Sequence, residues 1–283
     1  MRIASIGIRL LLPLILGAAL AGPAMAGEVL DRVLQSGELR IPNEPGWPPY
    51  SFIDAQGTYT GFDVEVAREV ARRLQVQLKV VDKPDGSHYT WDEQTAGNWN
   101  GAYDAVIGSM TPTAKRDENL DFPVIYYYAI GSLAVHRDNH SIQTPSDASG
   151  KRIGVLLGAN YEYYVRRQAF GITGMEPVAY LIDNPVVRTY EMESDAFDAL
   201  AKGDGVELDA VINYLPVIMD LIKQGKPFKV VGKPLYRVPQ AVAIEPGDAE
   251  FAARLREVVE AMHRDGTLSA LSEKWVGFDM TRQ

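Results

Sequence analysis

From residue 27 onward the chain alternates short apolar runs with segments whose apolar residues recur every fourth position, the pattern of strands and helices in turn. Glu38 to Ile41 reads as a first strand, and the following Asn43 to Tyr50 holds three prolines, so it is a loop. Phe62, Val66, Val70 and Leu74 share one face of a helix predicted over Gly61 to Leu74, and Leu78 to Val81 is the next strand. Pro84 to Asn100 is polar and aromatic without periodicity, which reads as a functional loop or an insertion. Tyr103 to Ile107 is a strand, with Gly108 to Thr111 as its end loop, a charged helix around Ala114 to Glu118, and an extended run from Val124 to His136. A second half repeats the rhythm. Arg152 to Leu157 is a strand ending in Gly158-Ala159-Asn160, a helix starts at Tyr161, and Val178–Ile182, Ala196–Lys202, Leu208–Ile212, Pro216–Gln224 and Phe228–Val231 continue the alternation. Leu235 to Ile244 breaks it as an extended segment, and helices over Ala249–Arg264 and Leu268–Trp275 close the chain.

This is the α/β signature. Two extended segments, near 123–136 and 234–244, bracket a central block. If both cross between lobes, one lobe is discontinuous, 27–128 with 239–283, and the other is 129–238, joined by two hinge crossings. A small molecule is then expected in the crevice where strand-end loops gather.

The first 26 residues stand outside this pattern. Arg2 and Arg9 precede the mostly apolar Leu10 to Ala21, and Ala24-Met25-Ala26 supplies small residues for cleavage, so Met1 to Ala26 reads as a secretory signal cleaved after Ala26. The apolar run is shorter than the roughly 20 residues of a bilayer crossing. The net charge of the 283 residues is −9, and loss of Arg2 and Arg9 deepens it, which disfavours nucleic acid and anionic membranes as partners. With no cysteine, thiol catalysis, disulfides, thiolate metal sites and a lipidated N-terminal Cys are excluded, and an exported chain of this kind fits a bacterial periplasm.

Four local patterns, in order and across nearly the whole exported chain, carry a resemblance: Trp47-Pro48-Pro49-Tyr50-Ser51-Phe52 with Gly61-Phe62-Asp63-Val64; Asp104 to Thr111 through Arg116 to Asp121-Phe122; Ile153-Gly154-Val155 through Gly158; and Asp265-Gly266-Thr267 through Lys274-Trp275. The chain resembles the periplasmic solute-binding proteins of ABC importers, in the polar amino-acid-binding family with the type II periplasmic-binding-protein fold. The resemblance implies a receptor for a small carboxylate-bearing solute, an amino acid or derivative, passed to a permease in the inner membrane; a monomer; and neither cofactor nor metal. It places a carboxylate-gripping arginine at Arg116, where a planar guanidinium offers two parallel hydrogen bonds; a surface ion pair on a charged helix is the plainer role for that residue. Gly108, Ser109 and Thr111 offer backbone groups and hydroxyls, or form an ordinary turn. Ala159 and Asn160 precede a helix whose N–H groups suit an anion, and Asn160 is equally an N-cap. Trp47 and Tyr50 offer aromatic faces to a ligand or pack the core. Glu44 lies where similar basic-amino-acid receptors place an acid for a distal cation, or is a solvated loop residue.

One position departs from the resemblance. Where such proteins usually carry an aspartate for the ligand's α-ammonium, five residues after the aspartate of Asp-Ala-Val, this chain has Tyr214. A phenol is neutral at pH 7 and cannot replace that charge. Glu44, Asp92 or Glu93 then takes the ammonium, or the ligand has none; Trp91 and Trp99 either line an altered pocket or pack the insertion. Two other functions stay open: a cleft enzyme of the cyclohexadienyl dehydratase type with Glu44 or Glu93 as general acid, and an accessory partner of a periplasmic quinoprotein dehydrogenase, suggested by Tyr89-Thr90-Trp91. The four histidines show no convincing metal spacing, no Gly-rich phosphate loop is present, and Ser51 and Ser109 have no triad partners legible in sequence.

Overall fold

A computed structural model describes residues 27–172, 175 and 177–282; the signal-peptide expectation falls outside them. In chain order the first elements are α1 (Glu28–Ser36), β1 (Glu38–Pro42), β2 (Gly46–Trp47), β3 (Ser51–Ile53), β4 (Tyr59–Thr60), α2 (Phe62–Arg73), β5 (Gln77–Val81), α3 (Trp91–Ala96), β6 (Val106–Met110), α4 (Ala114–Asp117) and the 16-residue β7 (Asp121–His136). There follow β8 (Arg152–Leu156), α5 (Asn160–Val165), β9 (Val186–Tyr190), α6 (Glu193–Ala201), β10 (Ala210–Tyr214), α7 (Leu215–Lys223), the 17-residue β11 (Phe228–Ile244), α8 (Ala249–Arg264) and α9 (Thr267–Val276).

The molecule is an α/β protein with two lobes. In the first, β1 pairs in parallel with β5, and α2 covers them with Phe62, Val66, Val70 and Leu74 buried as one stripe. In the second, β8 lies between β9 and β10, parallel to both. The long strands β7 and β11 pair antiparallel and carry the chain between the lobes, with β6 attached to one end of the ribbon and β10 to the other. The ribbon is not uniform. Its register shifts between Val231 and Tyr236, and again beyond Gln240, as expected where a pair of strands must bend between two bodies.

The two halves repeat one local device. Asp104 and Asp209 each open an Asp-Ala-Val-Ile run, and each accepts a backbone N–H and the guanidinium of the arginine in a neighbouring strand: Arg40 on Asp104 (2.9 and 2.7 Å), Arg152 on Asp209 (2.7 and 3.0 Å). Each clamp fixes the start of a strand, β6 or β10. Five residues on from each aspartate, Ser109 and Tyr214 occupy equivalent places at the strands' far ends.

Several sequence expectations are corrected. Gly108, Ser109 and Met110 belong to β6 rather than to a loop after it, and Ser109 adopts a left-handed backbone conformation (φ 55°) within the strand. Val178–Ile182 forms no regular element; the polar Val186–Tyr190 is the strand. The 84–100 stretch contains the short α3, started by a reciprocal cap between Thr90 and Glu93, and Trp99 and Tyr103 seal it in a small core with Val106, Met110 and Leu120. Helix α1, which the sequence reading did not select although Val29, Leu30 and Val33 share one face, is held by Asp248: one carboxylate oxygen accepts from Val29 and Leu30, while the other caps α8 at Phe251.

Candidate ligand-binding site

A cavity of about 330 Å³ lies between the lobes, and residues from both line it. Glu44, Trp47, Ser109, Thr111, Arg116, Ala159, Asn160 and Tyr214, all singled out from the sequence, stand in its wall. Tyr50 and Gly108 do not. Tyr50 is fully buried behind the wall, its ring against Trp47 at 4.7 Å and Tyr127 at 5.7 Å. Gly108 backs Glu44, whose carboxylate would lie 3.2 Å from a β-carbon built there. Trp91 lines the cavity while Trp99 packs the insertion. Asp92 and Glu93 are outside it, and Glu93 faces Lys83 (2.7 Å) and Thr90, which hold its carboxyl down at about 2, so it is unsuited to donate a proton near neutrality. Tyr161, Tyr163, Glu191, Met192, Glu193 and Ser194 also contribute; the sequence reading had not selected them, and no local motif marks them.

Arg116 is set by α4, a single turn begun by the Thr113 hydroxyl, which accepts from the Arg116 backbone N–H. Its guanidinium donates to the Thr111 carbonyl (2.9 Å) and lies 5.1 Å from the Trp91 ring centre. Among the described residues no carboxylate lies within ion-pair distance of it, so the surface ion pair is not formed. Burial draws its pKa below the usual value, opposed by Tyr214 and Tyr163. A partly desolvated cation with most of its fork unused is poised for an anion.

The start of α5 is already occupied. Glu162 reaches back so that its carboxylate accepts from the Gly158 N–H (2.7 Å), and the cap position is Ala159, not Asn160. Asn160 instead joins a buried polar network. Its amide donates to the Tyr214 hydroxyl (2.5 Å) and to Thr111 Oγ1 (3.4 Å), while its carbonyl accepts from Tyr236 (2.9 Å). Gln240 donates to Thr111 Oγ1 (3.0 Å) and to Tyr214 (3.3 Å). The network ties β6, α5, β10 and the β11 crossing together where the lobes meet. Burial pushes the Tyr214 phenol up to about 12, so it is a neutral hydrogen-bonding group.

Three carboxyls concentrate on the other side. Asp63 is fully buried behind Ser109, accepting from Ser109 Oγ (2.6 Å) and Tyr126 (2.8 Å); burial raises it to about 7 against those two bonds. Glu44 rises to about 8, through desolvation first and then the charges of Asp63 and Glu193. Glu193 is also raised by burial; its carboxylate accepts from Tyr161 and, across the cleft, from the indole N–H of Trp47 (3.0 Å). The cavity therefore has an arginine end and an acid side, with aromatic rings between.

The chain matches the bacterial extracellular solute-binding proteins, family 3, over residues 39–278. It is a member of that family. This solute-binding protein is 31% identical to the L-cystine-binding protein TcyJ of Escherichia coli over the full length of both chains, and 26% identical to the histidine-binding periplasmic protein of Salmonella typhimurium over 86% of this chain and 89% of that protein. Its fold is similar to the ancestral amino-acid-binding protein AncCDT-1, a precursor of cyclohexadienyl dehydratase (TM-score 0.70, 28% identity, covering 87% of this chain and 99% of that one). A second fold match is an ancestral arginine-binding protein bound to arginine (TM-score 0.67, 30% identity, 84% and 98%). Both are consistent with the two lobes and the cleft described above.

Proposed function

We propose that this solute-binding protein is a periplasmic receptor that closes its lobes, 27–128 with 239–283 and 129–238, on a small carboxylate-bearing amino acid or derivative. As a single copy, freed of its signal after Ala26, it delivers the solute to an ABC permease. The observation that carries the reading is Arg116: a cation in the wall of an interlobe cavity, without an acid partner among the described residues, stacked on Trp91 and one bond short of solitary. Thr111, Asn160 and Tyr214 frame the anion's place with fixed polar groups, and Ser109 adds its strained backbone. The names of the relatives, which bind cystine, histidine or arginine, support the class of solute. No helix among the described residues is long and apolar enough to cross a membrane.

A thermal-shift screen of amino acids, polyamines, opine-like compounds and organic acids identifies the solute, since a ligand of the folded state raises its stability by mass action. Arg116→Ala then weakens that solute by about 2 to 5 kcal/mol in calorimetry, the usual cost of removing one partner of a buried charged contact. Unchanged affinity rejects the anchor.

A cleft enzyme is the second reading, favoured by Glu44, which burial keeps protonated near neutrality as a general acid requires, and by the fold's likeness to a dehydratase precursor. Recovery of the bound solute unchanged after incubation decides against it. The aromatic stretch behind the accessory-partner reading is engaged within the chain, Tyr89 on Tyr103 at 4.9 Å and Trp91 on Arg116.

A further inference from the structure

We infer that Glu193 is the counter-charge for the solute's α-ammonium group, and that the solute is a cationic amino acid with a single carboxylate. The inference rests on the receptor reading above and names the class of solute for that cleft.

The ionisable groups in the cavity wall are unequal in number. One cation, Arg116, shares the wall with Glu44, Glu193 and the exposed Glu191, and Asp63 lies behind Ser109. None of these four acids has a lysine or arginine within ion-pair distance among the described residues. Glu193 is held in place by neutral donors only, Trp47 Nε1 on one oxygen, the Tyr161 hydroxyl on the other, and the Asn213 side chain beside them. A carboxylate has about four acceptor positions, so three donors leave capacity for an ammonium N–H. Its place in the first turn of the nine-residue α6 favours the ionised form.

Tyr214 cannot do this work. Its hydroxyl oxygen already accepts from Asn160 and Gln240, which leaves no acceptor for three ammonium protons. Its ring nevertheless marks where the two ends of the cavity meet: it packs on Trp47 (6.0 Å) and Tyr161 (5.6 Å), two side chains that hold Glu193, and its hydroxyl shares the Asn160 and Gln240 amides with Thr111, whose carbonyl accepts from Arg116. A carboxylate on Arg116 and an ammonium on Glu193, separated by one carbon, fit the two sides of that residue. Glu44, whose carboxylate has no hydrogen-bond donor among the described residues, remains for a distal cation. A disulfide-linked diamino diacid such as cystine fits poorly, since its second carboxylate meets acids where the cavity offers one guanidinium.

Calorimetry with L-arginine, L-lysine, L-cystine, L-glutamine and Nα-acetyl-L-arginine tests this on the exported chain and on Glu193→Gln and Tyr214→Phe. L-arginine or L-lysine is expected to bind on the order of tenfold or more tighter than L-cystine and L-glutamine. Glu193→Gln should weaken the free cationic amino acid by a similar factor while changing the acetylated probe less than about twofold, because that probe has no α-ammonium to lose. Tyr214→Phe should keep the preference for the free ammonium. The inference is overturned if Glu193→Gln weakens both probes alike or neither, or if cystine or glutamine is preferred. Those results leave the receptor reading standing, which fails separately if no carboxylate solute binds or if Arg116→Ala binds it as well as the parent chain. The unliganded melting temperature of Glu193→Gln shows whether the variant is folded.

Discussion

At the scale of single residues, the position that departs from the resemblance proves to be a structural joint. Tyr214 sits 4% exposed with its hydroxyl between Asn160 and Gln240, and its ring meets Tyr161 at 5.6 Å and Trp47 at 6.0 Å. Tyr214→Phe retains the ring and removes an acceptor that two buried amides share, leaving both to compete for Thr111 Oγ1, so it should cost about 1 to 3 kcal/mol in denaturant unfolding. A loss near zero would mean that the amides re-pair and that the network does not depend on the phenol. The sequence marked Tyr214 as unusual but not why, because its partners at 160 and 240 come from other elements. Glu193 was invisible for the same reason: it opens a helix like any solvated glutamate, and only the fold brings Trp47 to it, 146 positions away in the chain. Arg116 was legible through the resemblance, and the structure supplies what spacing could not, namely the absence of an acid beside it among the described residues.

At the scale of elements, what could be read was what buries a regular stripe. Helix α2 declared itself through four apolar residues on one face, and α8 through Phe251, Leu255, Val258, Val259 and Met262. What could not be read lacked such a stripe. Strand β9 alternates weakly and lies mostly exposed at a sheet edge, and β6 runs through a glycine and a left-handed serine that look like a turn in sequence. The crossing strands illustrate a further limit. Residues 228–231 and 235–244 read as separate pieces, yet they form one strand whose register slips beside Gly131. A β-carbon on Gly131 would stand 2.2 Å from the Tyr236 ring, and Tyr236 donates to Asn160 in the site. Gly131→Ala must therefore displace that ring. It should destabilise the fold by about 1 to 3 kcal/mol, as overpacking does, and weaken the solute although residue 131 does not line the cavity. Parent-like affinity in a variant shown to be destabilised would separate the crossing from the site.

For the whole molecule, the decisive feature is that acids meet at the seam between lobes. Trp47 reaches Glu193 and Thr111 reaches Asn160 across the cleft, and Ala114 donates its backbone N–H to Gly171 (2.6 Å), so the structure is in a closed arrangement with its carboxyls partly desolvated. Burial raises Glu44 from 4.5 to about 8 and Asp63 from 3.8 to about 7. A carboxyl with a raised folded-state pKa holds its proton in the folded chain after the unfolded chain has lost it. Stability therefore falls as pH rises through the interval between the two values, here from about pH 4 to about pH 8. Carboxyls held low, such as Glu93 at about 2, act below that interval and in the opposite sense. A cationic solute reverses the balance, since it favours the ionised acids that the empty cleft disfavours. The melting temperature of the unliganded protein should thus decline between pH 5 and pH 8, while the increment given by saturating L-arginine or L-lysine grows over the same range. Glu44→Gln, which removes one of the titrating groups, should flatten both trends. Parallel curves with and without the cation would show that the acids at the seam do not respond to the charge of the solute.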